Sequence, residues 1–462
     1  MTDPAEPRLP RWARALDAMG LGLILIGLSV IVTGGFREWT PFGRLSITSW
    51  MRPVIIGAVA LLVRHYMRRT PSLPARVAAA VTRWRDFPES RIIWPIFLSS
   101  RVGVLVIGFL AVVLIGYAPS TPPWRVYPND LLNLPGRWDT GWYLGVAVDG
   151  YEWQPARSHQ QQNIAFFPMF PMLMRYGSLF AARQTMWVGV AISFIAFFLA
   201  LRYMFRLARG TIGDDGATAA ITFLAAYPFA LFFSAAYTES LFLLMTVAAC
   251  YHFERGELKR AALWGLAAGL TRPNGCLLSI PLALMAIRPY WTSGWRPVVP
   301  RMAAAAMPGI GMLIYSGYIY WLTGNPLQWA AQNAAWGRVY RGFDALLGER
   351  IEFLQQYGLY DYAANRALEM LYVGAVLLVL ASVGPVFRRF GLPYAALILV
   401  NVLPPLAMGG FLSMGRVTSV IFPTFFWLGA AVPERHRAGW LIGFAMLQGL
   451  CAMAFFTWRP LY

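Results

Sequence analysis

Apolar runs of roughly 18 to 24 residues recur through almost the whole chain, each long enough to cross a hydrocarbon core about 30 Å thick. So many such runs cannot share one water-soluble core, and a polytopic membrane fold is the arrangement that accommodates them. Composition agrees: 58% of residues are hydrophobic and only 13% charged, against about 25% charged in soluble domains. The mean hydropathy is +0.51. The polar stretches are too short and too aromatic to form a separate soluble domain, so residues 1–462 are read as a single integral-membrane domain.

Spans are expected near 19–36, 51–67, 92–116, 185–205, 217–235, 237–253, 302–322, 367–387, 392–408, 414–432 and 438–458. That is an all-α fold of about 11 transmembrane helices. The segment 261–287 differs, because Thr271-Arg272-Pro273-Asn274-Gly275 interrupts it. Proline and glycine break a helix. Arg255, Lys259 and Arg260 precede this segment, and Arg288, Arg296 and Arg301 follow it. Both ends therefore read as lying on one side, which predicts a re-entrant pair of half-helices.

The net charge is +18. Nucleic acid is excluded as the reason, since the arginines are spread over many short loops and form no single stripe. They follow the positive-inside rule instead. Arg64, Arg68, Arg69, Arg76, Arg83, Arg85 and Arg91 mark the segment between the second and third spans as cytoplasmic. The N-terminus is then inside and the loop after the third span outside, in a multi-pass protein of the cell membrane. The first apolar segment lacks a small-residue cleavage site and is read as a retained span. Every basic residue except Lys259 is arginine, which with the Ala and Gly content suggests a high-GC bacterial genome.

Two outer loops are long, 117–184 and 323–366. Long loops in compact proteins are usually functional or disordered. These are rich in Trp, Tyr, Phe and Pro, which argues against disorder and for short interfacial helices. The first is expected to be the catalytic loop. It carries Asp139 within Arg137-Trp138-Asp139-Thr140-Gly141-Trp142-Tyr143. A carboxylate at a bilayer face can take the proton of an attacking sugar hydroxyl, and Trp138 can stack on a sugar ring. The bland alternative is a loop acid paired with Arg137.

Other candidates are weighed in the same way. Asp149 and Glu152 are candidates for binding hydroxyls or metal, or are solvated loop acids. Arg272, in the middle of an apolar stretch, faces a cavity or a partner; with Asn274 it can hold a lipid phosphate, or it caps carbonyls at the break. Arg416 suits bidentate phosphate contact, or snorkels to the surface. Glu239 sits at a tight outer turn, where capping the next helix is the simple reading. Gln332 belongs to a polar run with Asn325, Gln328, Asn333, Trp336 and Arg338, read as a sugar-recognition face or a solvated helix.

Cys250, Cys276 and Cys451 have no paired spacing and read as buried hydrophobes. The histidines, His65, His159, His252 and His436, are scattered. There is no P-loop, no GxGxxG after a strand and no HExxH. A nucleotide-driven pump is thereby excluded, and an activated sugar at the outer face has to arrive on a lipid carrier.

Arg137-Trp138-Asp139, Asp149-Gly150-Tyr151, Ala165-Phe166-Phe167-Pro168, Thr238-Glu239-Ser240, Leu270-Thr271-Arg272-Pro273-Asn274-Gly275 and Gly415-Arg416 with Phe422-Pro423 occur in this order. From about residue 92 to 458 the chain resembles the PIG-V (GPI mannosyltransferase 2) family. The resemblance implies a GT-C-type glycosyltransferase fold and a dolichyl- or polyprenyl-phosphate mannose donor. It also implies an acidic base in the first large outer loop, which maps to Asp139. Asp149 stands where eukaryotic members tend to have histidine, and Pro273 where they have serine.

The reading is an inverting mannosyltransferase. Asp139 deprotonates an acceptor hydroxyl on a lipid-linked or glycan acceptor. Arg272, Arg416, Arg137, Trp138, Asp149, Glu152, Glu239, Asn274 and Gln332 contribute to substrate binding. No cofactor is required, although a divalent metal is compatible. The rivals are a flippase or transporter of lipid-linked glycans, with a similar basic cavity and broken helix, and a glycan ligase using a lipid-pyrophosphate donor.

Overall fold

The structure is a computed structural model. It describes residues 10–33, 35–40, 43–69, 71–85, 87, 89–119, 124–287, 298–340 and 342–461. Arg288 and Arg296, used in the re-entrant argument, lie outside these residues. By packing, the chain divides into two units, Met1–Arg91 with Leu173–Val188, and Ile92–Met172 with Gly189–Tyr462.

In the first unit the helices Arg11–Thr33 and Met51–Met67 pack on each other. Their contact is built on glycine: a Cβ on Gly57 would run into the Gly20 carbonyl and the Ile24 side chain. Small residues at a crossing let two backbones approach closely where lipid offers no hydrophobic drive. Asp17 and Arg64, both buried, pair at 3.1 Å, and Arg76 also meets Asp17. A short antiparallel hairpin, Phe36–Thr40 with Gly43–Ile47, is an exception to the expected all-helical fold.

The second unit is helical. Among the described residues of the whole chain, seven helices are long and apolar enough to cross a membrane, or eight if one bent pair counts as a span. The expectation of about eleven spans meets three features. Met51–Met67 is short, at 17 residues. The range 414–432 is split into Met414–Ser419 and Phe422–Ala431, because Pro423 has no N–H to donate to the Ser419 carbonyl four residues back and its ring clashes there, whereas a proline is tolerated in the first turn of a new helix. Pro228–Ser234 and Glu239–Glu254 form the bent pair, at 99°.

Thr185–Ala226 runs through one non-helical residue, Gly213, with φ +71°. Only glycine takes that angle without steric cost. The expected break near Arg272 is present: helix Leu258–Gly269 ends, and a 3-10 turn Pro273–Leu278 leads into helix Ser279–Ile287. The fold-back is close, since a Cβ on Gly275 would collide with the Ala268 carbonyl.

The bent pair sits at the centre of this unit. All of Pro228–Ser234 and nearly all of Glu239–Glu254 are buried. Aromatic contacts fill the space around it, such as Phe197 stacked on Phe233 at 4.5 Å. The bend itself, at Tyr237, Thr238 and Glu239, turns polar atoms into this packed interior. The first long loop contains the helix Thr140–Val148 and several short turns, as expected. The second contains Gln328–Ala331, Gln332–Trp336 and a longer helix, Gly342–Asn365, kinked at Gly358.

Candidate active site

Asp139 occupies the position before helix Thr140–Val148, but its side chain makes no capping hydrogen bond. The carboxylate is engaged elsewhere, by Arg416. Trp138 has φ +46°, an uncommon conformation for a bulky residue that other contacts must hold. Its ring packs on Trp458 at 5.1 Å. Tyr237 fixes the backbone from behind: its hydroxyl accepts from the Asp139 N–H at 3.0 Å and donates to the Arg137 carbonyl at 3.2 Å.

The Asp139 carboxylate meets Arg416, whose Nη1 donates to Oδ2 at 2.5 Å. The Nε of Arg416 donates to Oε1 of Glu239 at 2.6 Å, and Nη1 of Arg272 donates to the same oxygen at 2.9 Å. Glu239 is wholly buried and Arg416 nearly so. The Arg416 guanidinium lies 4.7 Å from the centre of the Tyr237 ring. A buried carboxylate is tolerable only when paired and hydrogen-bonded, and two guanidinium groups supply that here. Glu239 is therefore an ion-pair partner of both arginines, more than the helix cap that its sequence position suggests.

Two cavities meet at this cluster. The larger, about 760 Å³, runs past Trp124, Trp138, Trp142, Ser413 and Trp458. The smaller, about 340 Å³, is walled by Tyr143, Phe166, Phe167, Arg272, Asn274, Pro404 and Met408. Both are lined by Asp139, Trp336, Arg338 and Arg416. Asp139 is the one carboxylate lining either, among the described residues. Arg338 comes from the second long loop and has no carboxylate partner among those residues. Burial, with Arg416 and Arg272 nearby, lowers its pKa to about 10, so it remains a cation at neutral pH. Burial pushes the Tyr143 hydroxyl up to about 12; it stays protonated, 3.2 Å from the Thr238 hydroxyl.

The two long loops are joined beside the cluster by aromatic contacts. Trp142 stacks on Phe166 at 5.7 Å, and Trp336 meets both rings edge-on at 5.7 Å. The Phe166-Phe167-Pro168 segment is held from below, where Tyr151 and Tyr315 donate to the Phe166 carbonyl. The Met169 N–H reaches the Leu270 carbonyl at the helix break.

Residues 123–293 match the family model described as mannosyltransferase (PIG-V). The human GPI alpha-1,6-mannosyltransferase 2 is 27% identical over 42% of this chain and 42% of its own length. The mouse protein of the same name is 29% identical over 38% of each. The resemblance to the PIG-V family is borne out. The alignments span under half the length of these relatives. Asp139, Glu239 and Arg272 lie inside the matched PIG-V segment, and Arg338 and Arg416 beyond it. A crystal structure of ArnT from Cupriavidus metallidurans bound to undecaprenyl phosphate is similar at a TM-score of 0.45 and 13% identity, covering 80% of this chain and 65% of that one.

The remaining expected site residues divide. Asn274 lines the smaller cavity and donates to Oδ1 of Asn401 at 2.8 Å. Trp138 lines the larger one. Arg137 does neither. It is buried and donates to the carbonyls of Phe456 at 2.8 Å, Asn133 at 2.6 Å and Gly136 at 3.0 Å. Its guanidinium is thus occupied by backbone and is not paired with Asp139. Gln332 is also buried, and it ties the second long loop to the Gln160 carbonyl of the first. Asp149 and Glu152 are exposed and line a third cavity, away from Asp139. Three residues at the centre escaped the list of expected site residues: Arg338, Tyr143 and Tyr237. Arg338 was visible within the polar run of the second loop. The two tyrosines carry no signal that separates them from interfacial anchors.

Proposed function

We propose that this multi-pass membrane protein is an inverting GT-C-type glycosyltransferase that moves mannose from a polyprenyl-phosphate donor to a hydroxyl of a lipid-linked or glycan acceptor. The observation that carries the reading is the single carboxylate, Asp139, shared by two cavities and surrounded by three arginines. One cavity then serves the donor and the other the acceptor, with the reacting atoms between them. Arg272, Arg338 and Arg416 outnumber Asp139 and Glu239 by one positive charge, which suits the single negative charge of a sugar phosphodiester.

In the reaction the acceptor hydroxyl oxygen attacks the anomeric carbon. Asp139 takes the hydroxyl proton, and the bond from carbon to phosphate oxygen breaks on the opposite side, inverting the configuration. The phosphate leaves with an added negative charge and needs no acid. Protonation of Asp139 loosens its hold on Arg416, which then turns to the leaving phosphate, with Arg272 and Arg338 also stabilising the new charge. The acceptor and donor meet at the outer face.

The test uses purified protein, radiolabelled polyprenyl-phosphate mannose and a panel of lipid-linked acceptors. Transfer with inverted configuration supports the reading. Donor or glycan movement across proteoliposomes without any transfer would replace it with a flippase. The facing of the site is tested by single cysteines at positions 158 and 72, in a chain lacking Cys250, Cys276 and Cys451. Only the first should react with an impermeant reagent in intact cells.

A further inference from the structure

The third cavity, about 350 Å³, continues from the larger one along a single helix face. Gly141, Gly145 and Asp149 follow one another at four-residue spacing and Trp142 lies three residues before Gly145, which puts them on one side of Thr140–Val148 and its C-cap. Gly141, Trp142 and Gln161 wall both cavities, so the two are connected. Gly145 leaves the helix backbone as the floor, and a Cβ there would meet nothing within 4 Å.

The facing wall is built. The Gln162 side chain accepts from the Gln154 N–H at 2.8 Å and donates to the Gln154 and Arg157 carbonyls. The Asn163 side chain accepts from the Glu152 N–H at 3.1 Å and donates to the Gly150 carbonyl at 3.0 Å. These two amides fix the loop that presents Glu152, Arg157 and Gln161. A loop held in advance loses less entropy when a ligand binds.

The geometry points to an acceptor subsite for a neutral oligosaccharide in this cavity; the inference rests on the glycosyltransferase reading above. Carboxylate, amide and guanidinium groups around the indole of Trp142 suit hydroxyls and a sugar face. Nothing there suits a lipid tail. Two carboxylates, Asp149 and Glu152, against one arginine disfavour an anionic glycan. The nine residues from Thr140 to Val148 span ~14 Å at 1.5 Å each, more than one hexose. The cavity therefore holds a sugar further along the acceptor than the one attacked beside Asp139.

The probes are octyl glycosides of mannose and of mannotriose, compared by kcat/KM. Wild type should prefer the trisaccharide about tenfold, the worth of one or two hydrogen bonds. Gly145→Leu should fill the cavity and erase that preference while leaving turnover of the monosaccharide unchanged. Gly145→Ala, as a size control, should keep the preference. Equal use of both acceptors by wild type, or equal loss of both in Gly145→Leu, overturns the subsite. If wild type turns over neither glycoside with active donor present, the glycosyltransferase reading is what fails. The cavity is then judged by binding of free mannotriose, followed by tryptophan fluorescence. Binding lost in Gly145→Leu upholds the cavity as a glycan site, and no binding to wild type overturns it.

Discussion

Two sets of buried or half-buried arginines in the same helical unit behave differently. Arg101 and Arg137 are each about 1% exposed, and both turn their guanidinium groups onto backbone carbonyls. Arg101 reaches Ala230 at 2.5 Å and Ala225 at 3.0 Å, with the Ser234 hydroxyl at 3.0 Å. Arg137 reaches Phe456 at the end of the last long helix. These carbonyls lie where helices end or bend, and such ends leave acceptors without intrahelical partners. Arg272 and Arg416 turn onto carboxylates instead, and together with Arg338 they border open cavities. A buried arginine in a membrane bundle is therefore no guide to a site by its burial. Its partner type, and an adjoining void, distinguish the two sets.

The largest effect is expected from Asp139→Asn, which keeps the shape of the side chain but cannot accept a proton. Transfer should fall by about 10²–10⁴-fold, with donor binding nearly unchanged. Transfer within a few-fold of wild type would make the Arg416–Asp139 pair structural and erase the distinction between the two sets.

The next is a crossed pair of variants. Arg416→Lys keeps the charge and loses the fork, so transfer should drop about 10²-fold while thermal stability in detergent changes little. Arg137→Lys should do the reverse, lowering stability by about 1.5–3 kcal/mol through lost charge-assisted bonds with residual activity in the folded fraction. The same pattern in both variants would break the comparison.

A smaller effect is expected at Arg338. Replacement by alanine should raise the donor KM about tenfold, the scale of one charge-assisted hydrogen bond, without lowering stability. Donor affinity should stay flat through neutral pH. It should fall as pH rises towards about 10, where this guanidinium, depressed by burial and by Arg416 and Arg272, loses its proton. An unchanged donor KM would remove Arg338 from the second set. The smallest effect belongs to Tyr237→Phe. Losing the hydroxyl between the Asp139 N–H and the Arg137 carbonyl should cost about 1 kcal/mol, or roughly fivefold in transfer.

The parts of the fold legible in the sequence were those with local causes. The break at Thr271–Gly275 was visible because proline and glycine sit inside an apolar run, and the outer loops because aromatics and prolines interrupt the spans. The split at Val420–Ile421 had the same cause, Pro423, but apolar residues on both sides of it read as one span. The site was legible in its residues and not in its pairings. Asp139 and Arg416 are far apart in the chain, so Arg137, two positions from Asp139, was weighed as the partner. Nothing local says that Arg137 faces the end of the last long helix. Arg338 was read as part of a solvated or sugar-binding face, and only the fold brings it against Arg416.

Glu239 gives one oxygen, Oε1, to both Arg272 and Arg416. Those arginines sit on two separate breaks in apolar helices, so a single atom links the two interruptions. In evolutionary terms the three positions are not independent. Changing Glu239 leaves Arg272 without its carboxylate and Arg416 with Asp139 alone, and changing either arginine alters the setting of the other. A lineage that modified this pocket would have to pass through poorly functioning single changes or alter several positions together. Related sequences should therefore show Glu239, Arg272 and Arg416 kept or replaced as a set, while a change at Arg338, which has no carboxylate partner among the described residues, forces no change at the other three.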